Sequence, residues 1–226
     1  CRPPRRRPLN DARLATRPQD FVNHPPSVRV FPDLMNLPPD NLRLVWIDLE
    51  MTGLNAAADH VLEIAAVVTG ADLIPLGEVE RVIFQPDDVL ERMSTRVRKI
   101  HTENSLIDEV RASKTSRAEA ERAVLATVSR HCPPGEGILS GNSIYHDWRF
   151  LVRHMPRLEQ HLHFRQVDIG TISVLVAAWY PHIAFPRAAT NHRAMADIRA
   201  SLEELRYYCQ HAFNVNLEAL ARARQW

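Results

Sequence analysis

Two acids interrupt an apolar run in Leu44-Val45-Trp46-Ile47-Asp48-Leu49-Glu50-Met51-Thr52-Gly53-Leu54. Positions i and i+2 of a strand point to the same face, so Asp48 and Glu50 share one side of a buried strand. Carboxylates placed this way repel each other and lose hydration, and something positive has to neutralise them. A divalent cation does so through hard oxygen ligands. Asp147 lies just inside a helix that follows the strand Gly137–Gly141, at the carboxyl edge where open α/β sheets place ligands. An acid in a first helical turn ordinarily complements the helix dipole, but Gly141-Asn142-Ser143-Ile144 sets small polar donors shortly before this one. Asp197 closes the stretch Thr190-Asn191-His192-Arg193-Ala194-Met195-Ala196-Asp197. Five residues turn through about 500° of helix, so His192 and Asp197 do not share a simple helical face. His192 reads as a mobile loop residue beside an acid held by a helix. An imidazole with an ordinary pKa near ~6.5 takes a proton from water at neutral pH. The order and settings of Asp48, Glu50, Asp147, His192 and Asp197 therefore suit a two-metal centre that cleaves phosphodiesters.

The elements that must position these residues are legible from periodicity. Three strands are expected at Leu42–Leu49, His60–Thr69 and Glu78–Gln85, with glycines in or beside the intervening turns, as in an antiparallel meander. A helical stretch runs from Asp87 to Arg130 and breaks near His101–Ser105. Within it, Ser116–Arg130 sets Ala120, Val124 and Val128 on one face. Strand Gly137–Gly141 leads into a helix over Asn142–Met155, and strand Gln166–Ile169 leads into Thr171–Trp179. Helix Met195–His211 and the segment Leu217–Arg224 complete the pattern. Strands first, then strand–helix alternation, predict an α/β fold with a mixed β-sheet flanked by α-helices.

Composition sets the frame. The 226 residues are 45% apolar and 24% charged, enough for one domain with an ample core. Nine of the sixteen prolines fall before position 40, among Arg5-Arg6-Arg7. Residues 1–40 are read as a flexible Pro/Arg-rich leader, with an organelle-targeting remnant, mitochondrial in address, as the alternative. The domain spans 41–226. The net charge is +1, and the domain alone is slightly acidic, which argues against coating long nucleic acid through a basic surface. Cys1, Cys132 and Cys209 show no paired or CxxC spacing, which points to a reducing compartment, the cytoplasm. No apolar stretch approaches the roughly 20 residues of a membrane span. His161 and His163 are read as a solvated turn rather than as metal ligands.

Asp48-Leu-Glu50, then Asp147 after Gly141-Asn-Ser-Ile144, then His192-Arg-Ala-Met-Ala-Asp-Ile198 resembles the DEDDh 3′–5′ exonucleases of the RNase H-like fold. Trp46–Leu54 and Arg149-Phe-Leu151 sharpen the resemblance toward the oligoribonucleases, over roughly residues 43–212. The resemblance implies two Mg²⁺ or Mn²⁺ ions per site. One is held by Asp48, Glu50 and Asp197; Asp48 also reaches the second, which Asp147 supports, and His192 is the general base. It implies removal of 5′-mononucleotides from the 3′ end of short single-stranded RNA, down to dinucleotides. Leu54 matches a leucine that wedges against terminal bases, although an aliphatic after a turn glycine is also ordinary core. Ser143, Arg165 and Thr171 fall where the family caps a 5′ phosphate. Three positions depart from the pattern. Gly170 stands for a serine, Phe164 for a tyrosine, and Arg96 for a tryptophan, which a guanidinium plane replaces less well as a stacking surface. These departures bear on length preference, leaving trimming of longer RNA or DNA 3′ ends as the alternative activity. A binding protein on an inactive fold is disfavoured by the retained acids. The family resemblance further implies a homodimer in which the Arg165 loop of one subunit completes the other's pocket. For most apolar residues of Thr171–Trp179 and Ile183–Phe185, burial in the core is the expected role.

Overall fold

The computed structural model describes residues 41–186 and 191–223, so the leader expected over 1–40 lies outside them. Strands β1 (Arg43–Met51), β2 (Val61–Thr69) and β3 (Pro75–Val82) form the expected meander. They are followed by α1 (Asp87–Leu90), α2 (Thr95–Glu103), α3 (Leu106–Ala112) and α4 (Arg117–Ser129). Strand β4 (Gly137–Gly141) then leads into α5 (Tyr145–His154) and α6 (Pro156–His161). Strand β5 (Gln166–Asp168) runs straight into α7 (Ile169–Trp179), and α8 (Ala194–His211) and α9 (Leu217–Ala223) follow. The sheet order is β3-β2-β1-β4-β5. β2 is antiparallel to both β1 and β3, whereas β4 is parallel to both β1 and β5. This is the mixed sheet of the sequence reading.

Strand alternation sorts β1 between two cores. Val45, Ile47 and Leu49 point to the side packed by Val124 and Val128 of α4 and Phe150 and Leu151 of α5. Leu44 and Trp46 point to the other side, against Ile198, Leu202 and Leu205 of α8. The period of two thus carries Asp48 and Glu50 onto the α8 side. Trp46 is fully buried, and its indole N–H donates to Thr69 Oγ1 at 3.0 Å, so the bulky ring carries no unsatisfied donor. A third apolar cluster joins Leu62 to Leu90, Met93, Leu106, Ile107 and Val110, which seats α1 to α3 against the sheet.

Several boundaries differ from expectation, each for a local reason. The 87–130 stretch is four helices, because Ser94 and Ser116 each start a helix with a side-chain cap, Ser116 as part of a capping box with Glu119. β3 starts at Pro75, opposite Thr69, three residues earlier than expected; it is an edge strand, where proline is tolerated. α5 starts at Tyr145 rather than Asn142 because Ser143 takes a left-handed conformation, φ 53°. Helix α6, with Pro156 in its first turn, was not expected; its amides at Arg157 and Leu158 donate to buried Glu121. His163 is buried rather than solvated, and its Nδ1 accepts the Arg165 N–H at 3.0 Å. Most apolar residues of α7 are not core: Val174 and Trp179 are two-thirds exposed, whereas Val176 is buried. Among the described residues no helix is long and apolar enough to cross a membrane.

Candidate active site

The acids converge from three elements. Glu50 comes from the end of β1, Asp197 from the first turn of α8, and His192 from two residues before that helix. These three each offer a ligand atom, and the atoms lie within 4.8 Å of one another. Asp147, in the first turn of α5, is buried, and its Oδ1 accepts the backbone N–H of Leu49 at 2.9 Å. That bond draws the start of α5 against β1 between the two strand acids.

The electrostatics are those of a site short of positive charge. Burial, then repulsion from Asp197, Glu63 and Asp147, pushes the Glu50 carboxyl up to about 8. Burial raises Asp147 to about 7, against the opposing hydrogen bond from Leu49. Asp48 is also driven well above the carboxylate range, by burial and then by Asp147, Glu50 and Asp197. Clustered carboxylates that resist ionising one by one need a cation to ionise together. The carboxylates offer the hard oxygen donors that a divalent cation takes, with the His192 imidazole beside them.

A supporting set was not singled out in the sequence. Glu63 on β2 is fully buried and pairs across the ladder with Glu50. Arg193 donates to Glu63 Oε1 at 2.7 Å and to Glu109 of α3 at 2.7 and 2.8 Å, while the Ala194 N–H donates to Glu63 Oε2 at 2.9 Å. The start of α8 is thereby fixed to the sheet immediately after His192. Asn104, between α2 and α3, donates to the carbonyls of Asn191 at 3.1 Å and His192 at 2.7 Å. Buried His101 of α2 reaches the Met51 carbonyl at 3.1 Å and lies 3.9 Å from Glu50. Glu63 carried the same signal as Asp48 and Glu50, a charged residue inside the apolar run Val61–Val68. Asn104, His101 and Arg193 had no comparable signal, since their roles depend on contacts across 50 to 130 residues of chain.

The expected substrate-contacting residues lie on four separate segments. Asp168, at the start of α7, accepts the N–H groups of Ser143 and Thr171, each at 3.2 Å, and so ties the two exposed hydroxyl residues together. A Cβ on Gly170 would stand 3.0 Å from both Asn142 Oδ1 and Asp168 Oδ1, so this corner is already tight around glycine. Phe164 and Arg165 are exposed on the loop before β5, with the guanidinium 5.6 Å from the Phe164 ring centroid. Leu54 is 62% exposed, not core. Its turn is closed by Asp59, which accepts from Thr52 Oγ1 at 3.0 Å and the Asn55 N–H at 2.9 Å. Gly53 leaves room for that carboxylate, because a Cβ there would lie 2.5 Å from Asp59 Oδ2. Arg96 is exposed in the first turn of α2, outside the acid cluster.

Comparison with known proteins places the family. An exonuclease family, RNase_T, matches residues 45–205. The oligoribonuclease of Nitrosomonas europaea is 45% identical over 179 residues, covering 78% of this chain and 98% of the relative. The oligoribonuclease of Streptomyces griseus is 49% identical over 177 residues, covering 76% of this chain and 88% of the relative. Among solved structures, an exonuclease I superposes with a TM-score of 0.62 at 16% identity, over 76% of this chain and 42% of that one. A zinc-ion-bound E. coli ExoI–ssDNA complex superposes with a TM-score of 0.61 at 17% identity, over 76% and 41%. These two likenesses show the fold, and this chain spans less than half of those longer proteins. The mixed five-stranded sheet flanked by helices is the RNase H-like exonuclease fold. On the strength of the family match and of near-full-length relatives at 45–49% identity, the chain belongs to the RNase_T exonuclease family and, within it, to the oligoribonucleases.

Proposed function

We propose that this protein is a metal-dependent 3′–5′ exoribonuclease that hydrolyses short single-stranded RNA to 5′-mononucleotides. The observation that carries the reading is the meeting of Glu50, His192 and Asp197 within 4.8 Å, joined by the buried acids that raise Glu50. Asp48, Glu50, Asp147 and Asp197 would hold two Mg²⁺ or Mn²⁺ ions. Bound ions supply a water acidic enough to deprotonate near neutrality and stabilise charge on the departing 3′ oxygen. His192 takes the proton of the attacking water at its imidazole nitrogen. Asp147 commits one oxygen to Leu49 N–H and keeps the other for the site.

Selection of short chains would rest on groups outside the acid cluster. Ser143 and Thr171 spend their amides on Asp168, leaving their hydroxyls for a 5′ phosphate beside the Arg165 guanidinium. Leu54 and Phe164 present exposed apolar faces to bases, and Arg96 a cationic plane. The exposed Val174, Leu175 and Trp179 of α7 support a homodimer in which the Arg165 loop serves the partner's pocket.

The test is digestion of labelled RNA two-mers to ten-mers in Mg²⁺, resolved by length. Shortening from the 3′ end, with dimers consumed fastest, is the expected result. Dimers that accumulate while long RNA or DNA is trimmed would replace this reading with a general 3′ exonuclease.

A further inference from the structure

His192 is held in an uncommon backbone conformation, φ 52°. A non-glycine residue adopts this uncommonly and at some cost, which its surroundings must offset. Part of the enforcement follows His192, where Arg193 and the Ala194 amide engage Glu63. The other part arrives from a separate layer. The Asn104 amide nitrogen has two hydrogens, and the carbonyls of Asn191 and His192 lie at 3.1 and 2.7 Å from it. Its Oδ1 meanwhile accepts the Leu106 N–H at 3.1 Å, closing the turn that opens α3. Leu106 is fully buried in the cluster that seats α2 and α3 on the sheet, so the turn that carries Asn104 is packed into the fold.

We propose that Asn104 is a positioning residue for the reaction, fixing the carbonyls on either side of the His192 Cα so that the imidazole meets the attacking water. The inference rests on His192 being the general base. A side chain with one acceptor bond to its own turn and two donor bonds to a loop 87 and 88 residues away divides cleanly by chemistry. Asn104→Asp keeps the acceptor and removes the donor. Asn104→Ala removes both.

The experiment is a double-variant cycle of Asn104→Asp with His192→Ala, read for all four proteins at one pH on the wild-type plateau of the pH–rate profile. Working on the plateau removes any effect of the new carboxylate on the proton affinity of the imidazole. Asn104→Asp is expected to lower kcat on a 5′-phosphorylated RNA dimer about tenfold, the scale of a lost hydrogen bond. KM should stay at the wild-type value, Tm should fall because a carboxylate oxygen now faces two carbonyl oxygens, and amide exchange over Asn191–Met195 should quicken. In the His192→Ala background the same change should cost nothing, since no base remains to be placed. Asn104→Ala should show the same kcat loss together with a lowered Tm. An equal loss in both backgrounds would make Asn104 merely structural and overturn the proposal, as would an unchanged kcat in Asn104→Asp. A His192→Ala enzyme as fast as wild type would overturn the base assignment, and this inference with it, on the single variant alone.

Discussion

Glu50 and Glu63 face each other across the β1–β2 ladder, two buried acids in direct register. Like charges so placed destabilise a sheet, and they are managed differently. Glu63 has a resident cation, the Arg193 guanidinium at 2.7 Å. Glu50 has carboxylates for neighbours and is the one driven up to about 8. The ladder therefore separates an acid with its own cation from one that burial and like charge hold protonated, the one proposed above as a metal ligand.

Removing that resident cation should be costly. Arg193→Ala leaves the fully buried Glu63 with a single amide partner, and a stability loss of about 3–5 kcal/mol is expected in urea melts. Adding Glu63→Gln should recover part of it, because the stranded charge disappears. A surface-like loss below about 0.5 kcal/mol would show that the pair is not structurally required.

Metal-free protein should lose stability as pH rises. Glu50 and Asp147 sit at about 8 and about 7 in the folded state, against ordinary values of 4.5 and 3.8. Both hold protons in the folded chain that the unfolded chain has released, so folding is favoured at low pH and disfavoured progressively between about pH 4 and 8. Melting curves in chelator should show Tm falling across that window, and Mg²⁺ should flatten the fall. Asp48→Asn should raise the metal-free Tm while abolishing hydrolysis. A chelated protein whose Tm climbs from pH 5 to 8 would contradict the charge balance described.

His192→Ala is expected to slow turnover by about 10²–10⁴, the usual cost of losing a general base, with cation affinity largely kept. Higher pH should restore part of the rate as hydroxide becomes available. Single-turnover rates across pH, alongside calorimetric Mg²⁺ titration, check both halves.

Ser105 opens α3 at φ 66° without a side-chain cap. Ser105→Gly removes that strain and should stabilise the protein by about 0.5–1 kcal/mol, with some of the gain returned as unfolded-state entropy. Thermal melting reads this as a rise of a few degrees. A fall in Tm would mean that the hydroxyl contributes a contact worth more than the strain.

The strands and the acid cluster were legible because their signals are local. An i, i+2 pair of acids in an apolar run marks both a strand and its burden of charge, and the structure places Asp48 and Glu50 on the side facing α8. The break before α3 showed in His101–Ser105, but α6 did not, since its amides are satisfied by Glu121, more than 35 residues earlier. Exposure of Val174 and Trp179 ran against composition; an apolar helix reads the same whether it faces a core or a second subunit. The supporting contacts of His192 were hidden for another reason. Asn104 and Glu63 act on that loop only once α2, α3 and β2 have packed.

Asp48, Glu50, Asp147 and Asp197 are proposed to form one binding site for two divalent ions. Anomalous diffraction from crystals grown with Mn²⁺ and a 5′-mononucleotide tests it most directly. Two Mn²⁺ peaks are expected, both touching Asp48, with Glu50 and Asp197 on one and Asp147 near the other. A single peak, or Mn²⁺ bound away from these carboxylates, would contradict that assignment.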